Sequence, residues 1–403
     1  MRLDQPDSPH LTYCSSIHPG ETWPEVRRNL STYATAVKTA LAPDRPFGLG
    51  LRLSAQAAAS LSDPSALDEF RDFLRQHNFY VFTLNGFPYG EFSIGRVKER
   101  VYLPDWRDDA RLAYSDQLAS LLETLLPPNV EGSISTVPCA FRAHASGDAD
   151  LDRMAGQLVR HAATLFRISV TSGKIISLAL EPEPACCLET STDAVEFFQR
   201  RLFGRAGLDH FSRLTGLDRQ AGESALRRHL GVCLDACHAA IEFETASETV
   251  KAYRSAGIRI NKVQISAGLT VTADPRHLDI RQALARFDDG VYLHQVVMQQ
   301  PSGLRRYYVD LPDALAASSP PHHTAEEWRI HCHVPISQEH LGLFTSTQVY
   351  LRDLFAIYRR TPFTSHLEVE TYTWHVLPEE YRGEDVVQSI SRELQWAQTQ
   401  LSP

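Results

Sequence analysis

Short apolar runs alternate with longer segments of helical periodicity along most of the chain. This rhythm is typical of a largely parallel sheet whose strands are connected by helices. Eight or nine strands with helices between them favour an α/β fold of the (β/α)8 type, a closed TIM barrel, over an open sheet. The runs that predict strands are residues 10–17, 47–53, 79–85, 131–137, 175–181, 231–236, 260–266, 328–335 and 366–372. The segments that predict helices are residues 22–41, 65–77, 108–126, 148–170, 190–203, 219–229, 243–255, 277–287, 345–359 and 384–400.

The segment 267–327 is longer than an ordinary connection between barrel elements. It contains two apolar runs, 290–298 and 305–311, which predict a β-hairpin, and then a Pro/His stretch, SSPPHHT, at 318–324. We therefore expect residues 1–403 to form one barrel domain, with 267–327 inserted between late barrel strands and lying over the barrel mouth.

The predicted strands carry charged residues on the face that should point into the barrel. Side chains along a strand alternate between the barrel interior and the surrounding helices. In 175–181, Leu178 and Leu180 share the helix-facing side, which leaves Glu181 pointing inward. The same parity places these residues inward on other predicted strands: Asp235, Lys262, Gln264, His331, His333, Glu368 and Glu370.

Acids that converge beside histidines indicate a cation, because like charges a few ångströms apart otherwise take up protons. The carboxyl ends of the strands are also where barrel enzymes place their chemistry. We therefore predict one divalent metal ion, or two, and because the ligands are oxygen and nitrogen Zn, Mn, Mg and Fe all remain open. For any single acid the alternative is a structural ion pair with Arg52, Arg142 or Lys262. The predicted ligands are Glu181, Asp235, His238, His333 and Glu370; His238, three residues after Asp235, is either a ligand or a group that orients one.

Three residues near strand ends are candidates for substrate contact. Arg52 points inward and could anchor a substrate anion or form a structural salt bridge. Asn85, which precedes GFPYG, could bind a hydroxyl group or serve only in the turn. Glu183 is held between two prolines and is either a second mouth carboxylate or a solvated loop acid.

Further candidates follow on the later strands. Lys262 could balance the carboxylates or bind a substrate oxygen, and Gln264 could hydrogen-bond to substrate. His331 and His333 share one strand face, a pattern that favours ligand or acid/base duty. His375, beyond the last predicted strand, could line the mouth.

Composition narrows the classes of partner. The net charge of −9 argues against a protein that grips a phosphate backbone, so we expect no nucleic acid. The first residues lack the apolar core of a signal peptide, and no run of about eighteen apolar residues predicts membrane insertion. The seven cysteines are scattered, without a disulfide or paired CxxC pattern. We expect a cytoplasmic protein with reduced thiols that binds a small polar metabolite.

The segment GVCLDACHAA at 231–240 resembles a motif of the zinc-dependent apurinic endonucleases, which belong to the xylose-isomerase-like barrel superfamily. The resemblance implies that Asp235 and His238 are metal ligands. LALEPEP at 178–184 is similar to the strand end that supplies a bridging glutamate, here Glu181, and LEVET at 367–371 to the one that supplies Glu370. The superfamily's strand-seven histidine corresponds either to His333 or to the position of Gln264.

The whole chain resembles the metabolite-traffic EboE family more closely. The similar segments are HLTYCSSIHPGETW (10–23), NGFPYG (85–90), LALEPEPACCLET (178–190), GVCLDACHAA (231–240) and TYTWHVLP (371–378). This resemblance implies a xylose-isomerase-like barrel that helps to build or export a specialised metabolite. Other proteins of that pathway and a second copy of the chain are the partners to expect.

The chain departs from the endonucleases on strands two and three, where Arg52 and Asn85 stand in place of zinc-binding histidines. A trinuclear centre is therefore not expected, and one or two metal ions, as in the sugar isomerases and epimerases of the superfamily, fit better. By analogy with those enzymes, Glu181 and Glu370 would act as general acid and base, with His333 beside them. We predict a metal-dependent isomerase or epimerase for a sugar, cyclitol or related metabolite. The alternatives are a phosphoester hydrolase of the endonuclease type and a non-catalytic metabolite-binding or traffic protein.

Overall fold

The strands form an eight-stranded and a six-stranded sheet in the computed structural model, which describes residues 1–3, 8–92, 95–145, 147–271, 278–317, 326–382 and 385–402. Within these residues the strands are β1 (His10–Tyr13), β2 (Phe47–Arg52), β3 (Phe79–Asn85), β4 (Gly132–Thr136), β5 (Ile176–Leu180), β6 (Leu230–Asp235), β7 (Arg259–Ile265), β8 (Leu269–Val271), β9 (Val296–Gln299), β10 (Arg305–Tyr308), β11 (Glu327–Ile330), β12 (His340–Leu341), β13 (Phe344–Ser346) and β14 (His366–Val369).

The eight-stranded sheet is a parallel barrel with the strand order β1-β14-β7-β6-β5-β4-β3-β2. At the remaining seam, a parallel bridge joins Cys14 to Gly50, and the Thr12 hydroxyl donates a hydrogen bond to the Gly48 carbonyl at 2.7 Å. Gly50 is required there, because a Cβ atom would lie 1.8 Å from Glu368 Oε1 and 2.8 Å from the Tyr13 carbonyl oxygen. The predicted (β/α)8 barrel is confirmed.

Helices cover the outside of the barrel, and several begin where the local sequence supplies a cap. Asp63 accepts hydrogen bonds from the N–H groups of Ser65 and Ala66, and Pro64 stands at the first helical position behind it. None of the described helices is both long enough and apolar enough to cross a membrane. The α-helices are α1 (Trp23–Asn29), α2 (Thr35–Leu41), α3 (Ala55–Leu61), α4 (Pro64–Gln76), α5 (Asp109–Leu125), α6 (Asp148–Ser172), α7 (Ser191–Phe197), α8 (Arg205–Thr215), α9 (Arg219–His229), α10 (Ala236–Ile241), α11 (Ala246–Ser255), α12 (Leu278–Ala285), α13 (Leu311–Ala317), α14 (Gln348–Arg360), α15 (Glu379–Arg382) and α16 (Val386–Leu401).

The six-stranded sheet lies between barrel strands β7 and β14 in the sequence and has the order β10-β9-β11-β8-β13-β12. It contains the predicted hairpin, in which β9 pairs antiparallel with β10. The sheet continues to β13, so the inserted region extends beyond the predicted end at residue 327. The Pro/His stretch at 318–324 falls outside the described residues.

The prediction of a barrel strand over 328–335 is wrong. β11 ends at Ile330 and pairs antiparallel with β8 and β9, while His331 and the residues after it form a connection without regular structure. Trp328, Ile330, Cys332 and Val334 are all buried, which accounts for the apolar alternation in the sequence. Such alternation shows that one face of a segment is buried, but it does not show which sheet the segment joins.

Inside the barrel, below the mouth, Lys262 on β7 and Glu368 on β14 form an ion pair. Lys262 Nζ lies 2.5 Å from Glu368 Oε2, and both side chains are fully buried. Burial disfavours the ammonium form, but the Glu368 carboxylate outweighs burial and raises the pKa of Lys262. Each charge of the pair therefore depends on the other.

We expect Lys262→Met to lower the free energy of unfolding by about 3–5 kcal/mol, because it leaves the Glu368 charge buried without a partner. The double variant Lys262→Met/Glu368→Leu should recover much of this loss. The matched control is Arg259→Met on the same strand, since Arg259 pairs with Glu131 at an exposed site and should contribute about 0–1 kcal/mol. Urea unfolding followed by circular dichroism measures the free energy of unfolding of all three variants. Equal losses for Lys262→Met and Arg259→Met would contradict the prediction.

Candidate metal centre

Three carboxylates meet where barrel strands end at the mouth. Glu181 follows β5, Asp235 is the last residue of β6, and Glu370 follows β14. The backbone N–H of Glu181 donates to the Thr136 carbonyl at 3.1 Å, and that of Glu370 to the Ile265 carbonyl at 3.1 Å, so neighbouring strands hold both residues. One carboxylate oxygen from each of the three acids lies within 4.8 Å of the others, and all three side chains are buried.

The ionised forms of these acids are unfavourable unless a positive charge lies beside them. Burial and, after it, the Asp235 charge raise the pKa of Glu181 to about 8. Burial and the Glu181 and Asp235 charges raise the pKa of Glu370 well above its usual range. Glu181 Oε2 and Asp235 Oδ2 accept no hydrogen bond from any described residue. Two buried oxygens without partners, in a group of three acids, suit a divalent cation.

Three histidines converge beside the acids with their Nε2 atoms facing one another. His238 Nε2 lies 3.1 Å from His331 Nε2, which in turn lies 3.3 Å from His333 Nε2. Each Nδ1 is engaged by an oxygen that can only accept: the Pro182 carbonyl at 2.9 Å for His238, the Gln295 side-chain oxygen at 2.7 Å for His331, and the Glu370 carbonyl at 2.8 Å for His333.

Because each Nδ1 must donate, each neutral ring presents an Nε2 lone pair to the others. Burial lowers the pKa of His331 well below its usual value and that of His333 to about 4, which keeps both rings neutral. Burial also disfavours charge on His238, but the Asp235 and Glu183 carboxylates outweigh it and raise the pKa of His238. A proton on His238, or a cation held by all three rings, relieves the repulsion between the lone pairs. The three rings thus fit a metal ion.

Asp235 connects the carboxylate group to the histidine group. Its Oδ1 accepts hydrogen bonds from the His238 N–H at 2.9 Å and from the Ser266 hydroxyl at 2.7 Å, so Oδ2 is the oxygen left for a ligand. A carboxylate oxygen of Asp235 lies within 4.8 Å of carboxylate oxygens of Glu181 and Glu370. An oxygen of Asp235 also lies within 4.8 Å of ring nitrogens of His238 and His333. We call the whole set (Glu181, Asp235, His238, His331, His333 and Glu370) the metal centre.

Glu183 is the acid next to the metal centre. Its Oε1 accepts a hydrogen bond from the Tyr102 hydroxyl at 2.7 Å and lies 3.6 Å from His331 Nδ1. Burial raises the pKa of Glu183. Glu183 is therefore a buried mouth carboxylate, as the first of its two sequence interpretations predicted, and not a solvated loop acid.

The two candidates for the strand-seven histidine lie in different parts of the structure. β7 carries Gln264, whose Nε2 donates to Glu370 Oε1 at 3.3 Å, while Asn85 donates to the same oxygen at 2.9 Å. His333 comes from the inserted region and not from a barrel strand. Gln264 and Asn85 thus hold Glu370 in position, and the imidazole is supplied from the insertion.

Three residues predicted to contact substrate lie elsewhere. Arg52 is buried against Glu21, with Nη1 2.6 Å from Glu21 Oε2, and also donates to the Gly20 and Gly90 carbonyls, so it forms the structural salt bridge. Lys262 is paired with Glu368 below the mouth. His375 is half-buried in a 3-10 turn, where its ring packs edge-on against Trp374 with 5.0 Å between ring centroids. None of the three lines the cavity described next.

The metal centre opens into a cavity of about 550 Å³. Glu181, Glu183 and Glu370 line it together with apolar and aromatic residues. Lys98 is the one lysine or arginine among the described lining residues, and its Nζ is already paired with Asp310 at 2.6 Å. The aromatic and apolar lining residues are Phe87, Pro88, Phe92, Val101, Tyr102, Tyr292, Leu293 and Tyr372.

Two supporting residues were not predicted from the sequence. The Gln295 side chain donates to the Tyr102 hydroxyl at 3.0 Å and to the Pro184 carbonyl at 3.1 Å while it accepts from His331. Glu393 on α16 accepts from the Ile336 N–H at 2.8 Å and the Thr371 hydroxyl at 3.0 Å. It thereby ties the histidine segment to the end of β14. No local pattern could have identified either residue, because both act through contacts distant in sequence.

The fold is a (β/α)8 TIM barrel with acids and histidines gathered at its mouth. No family model matches the sequence, and no curated protein matches it. Among solved structures, the chain is similar to a xylose isomerase-like TIM barrel protein from Mycobacterium smegmatis in complex with magnesium, with 12% identity, a TM-score of 0.52, and coverage of 99% of this chain and 98% of that chain.

Two further solved structures have lower scores. The probable 3-DHS dehydratase AsbF of Bacillus anthracis is 11% identical with a TM-score of 0.46, over 96% of this chain and 97% of that chain. The IOLI protein with a bound zinc atom is 12% identical with a TM-score of 0.46, over 97% of each chain. At such identities the likeness concerns the fold alone. The closer resemblance to the EboE family stays a prediction.

We expect Asp235→Asn to weaken divalent-metal binding by more than about tenfold, the smallest loss usual for changes around a metal site. Asparagine keeps an oxygen for the His238 N–H, so stability should change little. Metal content after purification without chelators, and competition with a metal-sensitive dye, measure the effect. The matched control is Asp353→Asn, at an exposed position on α14. If wild type carries no more metal than Asp235→Asn, the centre does not hold a metal ion.

Proposed function

We propose that the protein is a divalent-metal-dependent isomerase or epimerase acting on a sugar, a cyclitol or a related polyhydroxylated metabolite. The proposal rests on one observation: partnerless buried carboxylate oxygens and three imidazole Nε2 atoms converge beside a cavity that Glu181, His238, His331 and Glu370 line. Within the described residues, neither Glu181 nor Asp235 is neutralised by a lysine or arginine within ion-pair distance. This argues against a non-catalytic protein that keeps these acids only for structural salt bridges.

Glu181, Asp235, His238, His333 and Glu370 would hold the ion, with His331 next to it. A bound divalent ion would supply Lewis-acid polarisation of adjacent substrate oxygens. Without a cation, burial and the Asp235 charge raise the pKa of Glu181 to about 8. A bound divalent ion would lower this pKa again and favour the carboxylate form that accepts a proton. These are the properties that a proton-transfer residue needs.

In the proposed reaction, Glu181 takes a proton from a carbon atom next to a carbonyl group. In an epimerisation, Glu181 or Glu370 returns a proton to the same carbon. In an isomerisation, the proton returns to the neighbouring carbon, and the hydroxyl proton passes to the former carbonyl oxygen. The proton removed equals the proton returned, so no oxidant or co-reactant is needed. Asn85 and Gln264 keep Glu370 oriented through the hydrogen bonds that they donate to its Oε1.

The shape and charge of the cavity favour a neutral polyhydroxylated substrate. The aromatic wall can pack against the face of a sugar or cyclitol ring and exclude water. A phosphorylated substrate finds less support, because Lys98 is already paired with Asp310.

One observation favours a second candidate, a metal-dependent phosphoester hydrolase. The carboxylate group and the histidine group adjoin and share Asp235, so the metal centre has enough ligands for two ions. Two ions close together are typical of enzymes that cleave phosphoesters. The paired Lys98 and the net charge of −9 weigh against this candidate.

The metabolic setting is part of the same proposal. The segments that resemble the EboE family run from residue 10 to residue 378, and they suggest a role in the biosynthesis or traffic of a specialised metabolite. Proteins of the same pathway and a second copy of the chain are the proposed partners.

An isomerase or epimerase should exchange a substrate C–H hydrogen with solvent. We expect wild type loaded with Mn²⁺ or Zn²⁺ to incorporate deuterium from D₂O into one carbon position of its substrate, when aldoses, ketoses and inosose-type cyclitols are screened by NMR and mass spectrometry. Glu181→Gln should slow this exchange by about 100-fold or more, the usual contribution of a general acid–base group.

The matched control for the exchange experiment is Glu223→Gln, a partly exposed acid on α9 that pairs with Arg227 and should leave the exchange rate unchanged. Phosphoester cleavage without deuterium incorporation would select the hydrolase instead. Metal binding with neither activity across the screen would favour a metabolite-binding role.

A further inference from the structure

A second cavity, of about 1140 Å³, lies beside the metal centre. Gln295, which accepts a hydrogen bond from His331, forms part of the wall of this cavity. Gln295 lines this cavity, while its amide group contacts His331 and Pro184. Other parts of the wall come from residues 141–143, which follow β4, and from residues 307–309 at the end of β10. We call this cavity the side cleft. It involves none of the residues that would hold the metal ion.

A buried acid without partners lines the side cleft. Glu242, directly after α10, is only 1% exposed, and neither of its carboxylate oxygens has a hydrogen-bond partner among the described residues. A carboxyl group so deeply buried is costly unless a donor or a cation satisfies it. Glu242 is therefore the feature of the cleft that most needs a ligand.

The cations near Glu242 are already engaged. Arg142 Nη2 lies 2.9 Å from Glu189 Oε2, and Arg142 Nε donates to the Cys186 carbonyl at 3.1 Å. Arg305 donates to the Gln299 side chain at 2.9 Å and to the backbone carbonyl of Glu242 at 2.8 Å, and not to its carboxylate. Neither arginine satisfies the Glu242 side chain.

The remaining wall of the cleft is apolar and aromatic. Phe141, Tyr307 and Tyr308 contribute rings, and Val296 and Val297 contribute aliphatic surface. Tyr307 is 54% exposed, so one ring stands at the entrance and is accessible from solvent. Aromatic faces attract organic cations, especially where water is partly excluded.

We propose that the side cleft binds a small organic cation, a protonated primary amine on an aromatic or apolar body, whose ammonium group pairs with Glu242. The aromatic rings contact the body of the ligand, and the ammonium group supplies the donors that the carboxylate lacks. Burial and the charges of Glu189 and Glu244 raise the pKa of Glu242 to about 9, and the opposing effect of Arg305 and Arg142 is smaller. An ammonium ion in the cleft would restore ionisation of this carboxyl.

This site is independent of the proposed function, because the amine pairs with Glu242 and not with any residue of the metal centre. Gln295, which contacts the Pro184 carbonyl in the wall of the cleft, also accepts a hydrogen bond from His331 of the metal centre. Amine binding should therefore be the same in chelator-treated and metal-loaded protein. Failure of the metal proposal and failure of this one are thus distinguishable.

The test is titration calorimetry on the full chain at pH 8 with 2-phenylethylammonium chloride, against its neutral analogue 2-phenylethanol. We expect saturable binding of the amine to one site, at least about tenfold tighter than binding of the alcohol, as one charge-assisted hydrogen bond would produce. Glu242→Gln should weaken amine binding by a similar factor. The control Glu223→Gln, at a partly exposed position on α9, should leave it unchanged.

A second variant, Tyr307→Leu, removes an exposed ring and should weaken amine binding without any effect on folding. It keeps the test decisive if circular dichroism shows that Glu242→Gln is misfolded. The proposal is overturned if wild type shows no saturable binding, if the alcohol binds as tightly as the amine, or if a folded Glu242→Gln retains full affinity.

Discussion

Closure of the parallel barrel is the constraint on which the rest of the structure depends. Because all eight barrel strands run in the same direction, β5, β6 and β14 end at one mouth and bring Glu181, Asp235 and Glu370 together. The mutual repulsion of three buried acids then determines what the site can do. Burial and, after it, this repulsion raise the pKa values of Glu181 and Glu370. With two carboxylate oxygens that have no partner among the described residues, the acids suit a divalent cation.

The barrel contains buried carboxylates at two depths, and they differ in whether a basic residue pairs with them. Below the mouth, Glu368 is neutralised by Lys262, and Gly50 leaves room for its carboxylate against β2. At the mouth, where the cavity begins, Glu181 and Asp235 have no lysine or arginine partner among the described residues. Glu368 therefore serves the fold, whereas Glu181 and Asp235 are available for a metal ion and a substrate.

The inserted region not only covers the metal centre but also supplies part of it. It delivers His331 and His333 to His238, and through Gln295 it fixes the tautomer of His331. Glu393 on the last helix fastens the same segment to the end of β14. The site is therefore built half from barrel strands and half from a region that a minimal barrel lacks, and the side cleft with Glu242 lies along the junction between the two.

The sequence by itself determined the barrel and the inward direction of Glu181, Asp235 and Glu370, because strand alternation is a local property with a period of two residues. It also marked His331 and His333 as a pair on one face. Only the tertiary structure decided that their segment follows a strand of the inserted sheet, that Arg52 binds Glu21, and that Lys262 pairs with Glu368 in the barrel interior. Those outcomes depend on which distant segments pair and at what depth, and local periodicity carries no information about either.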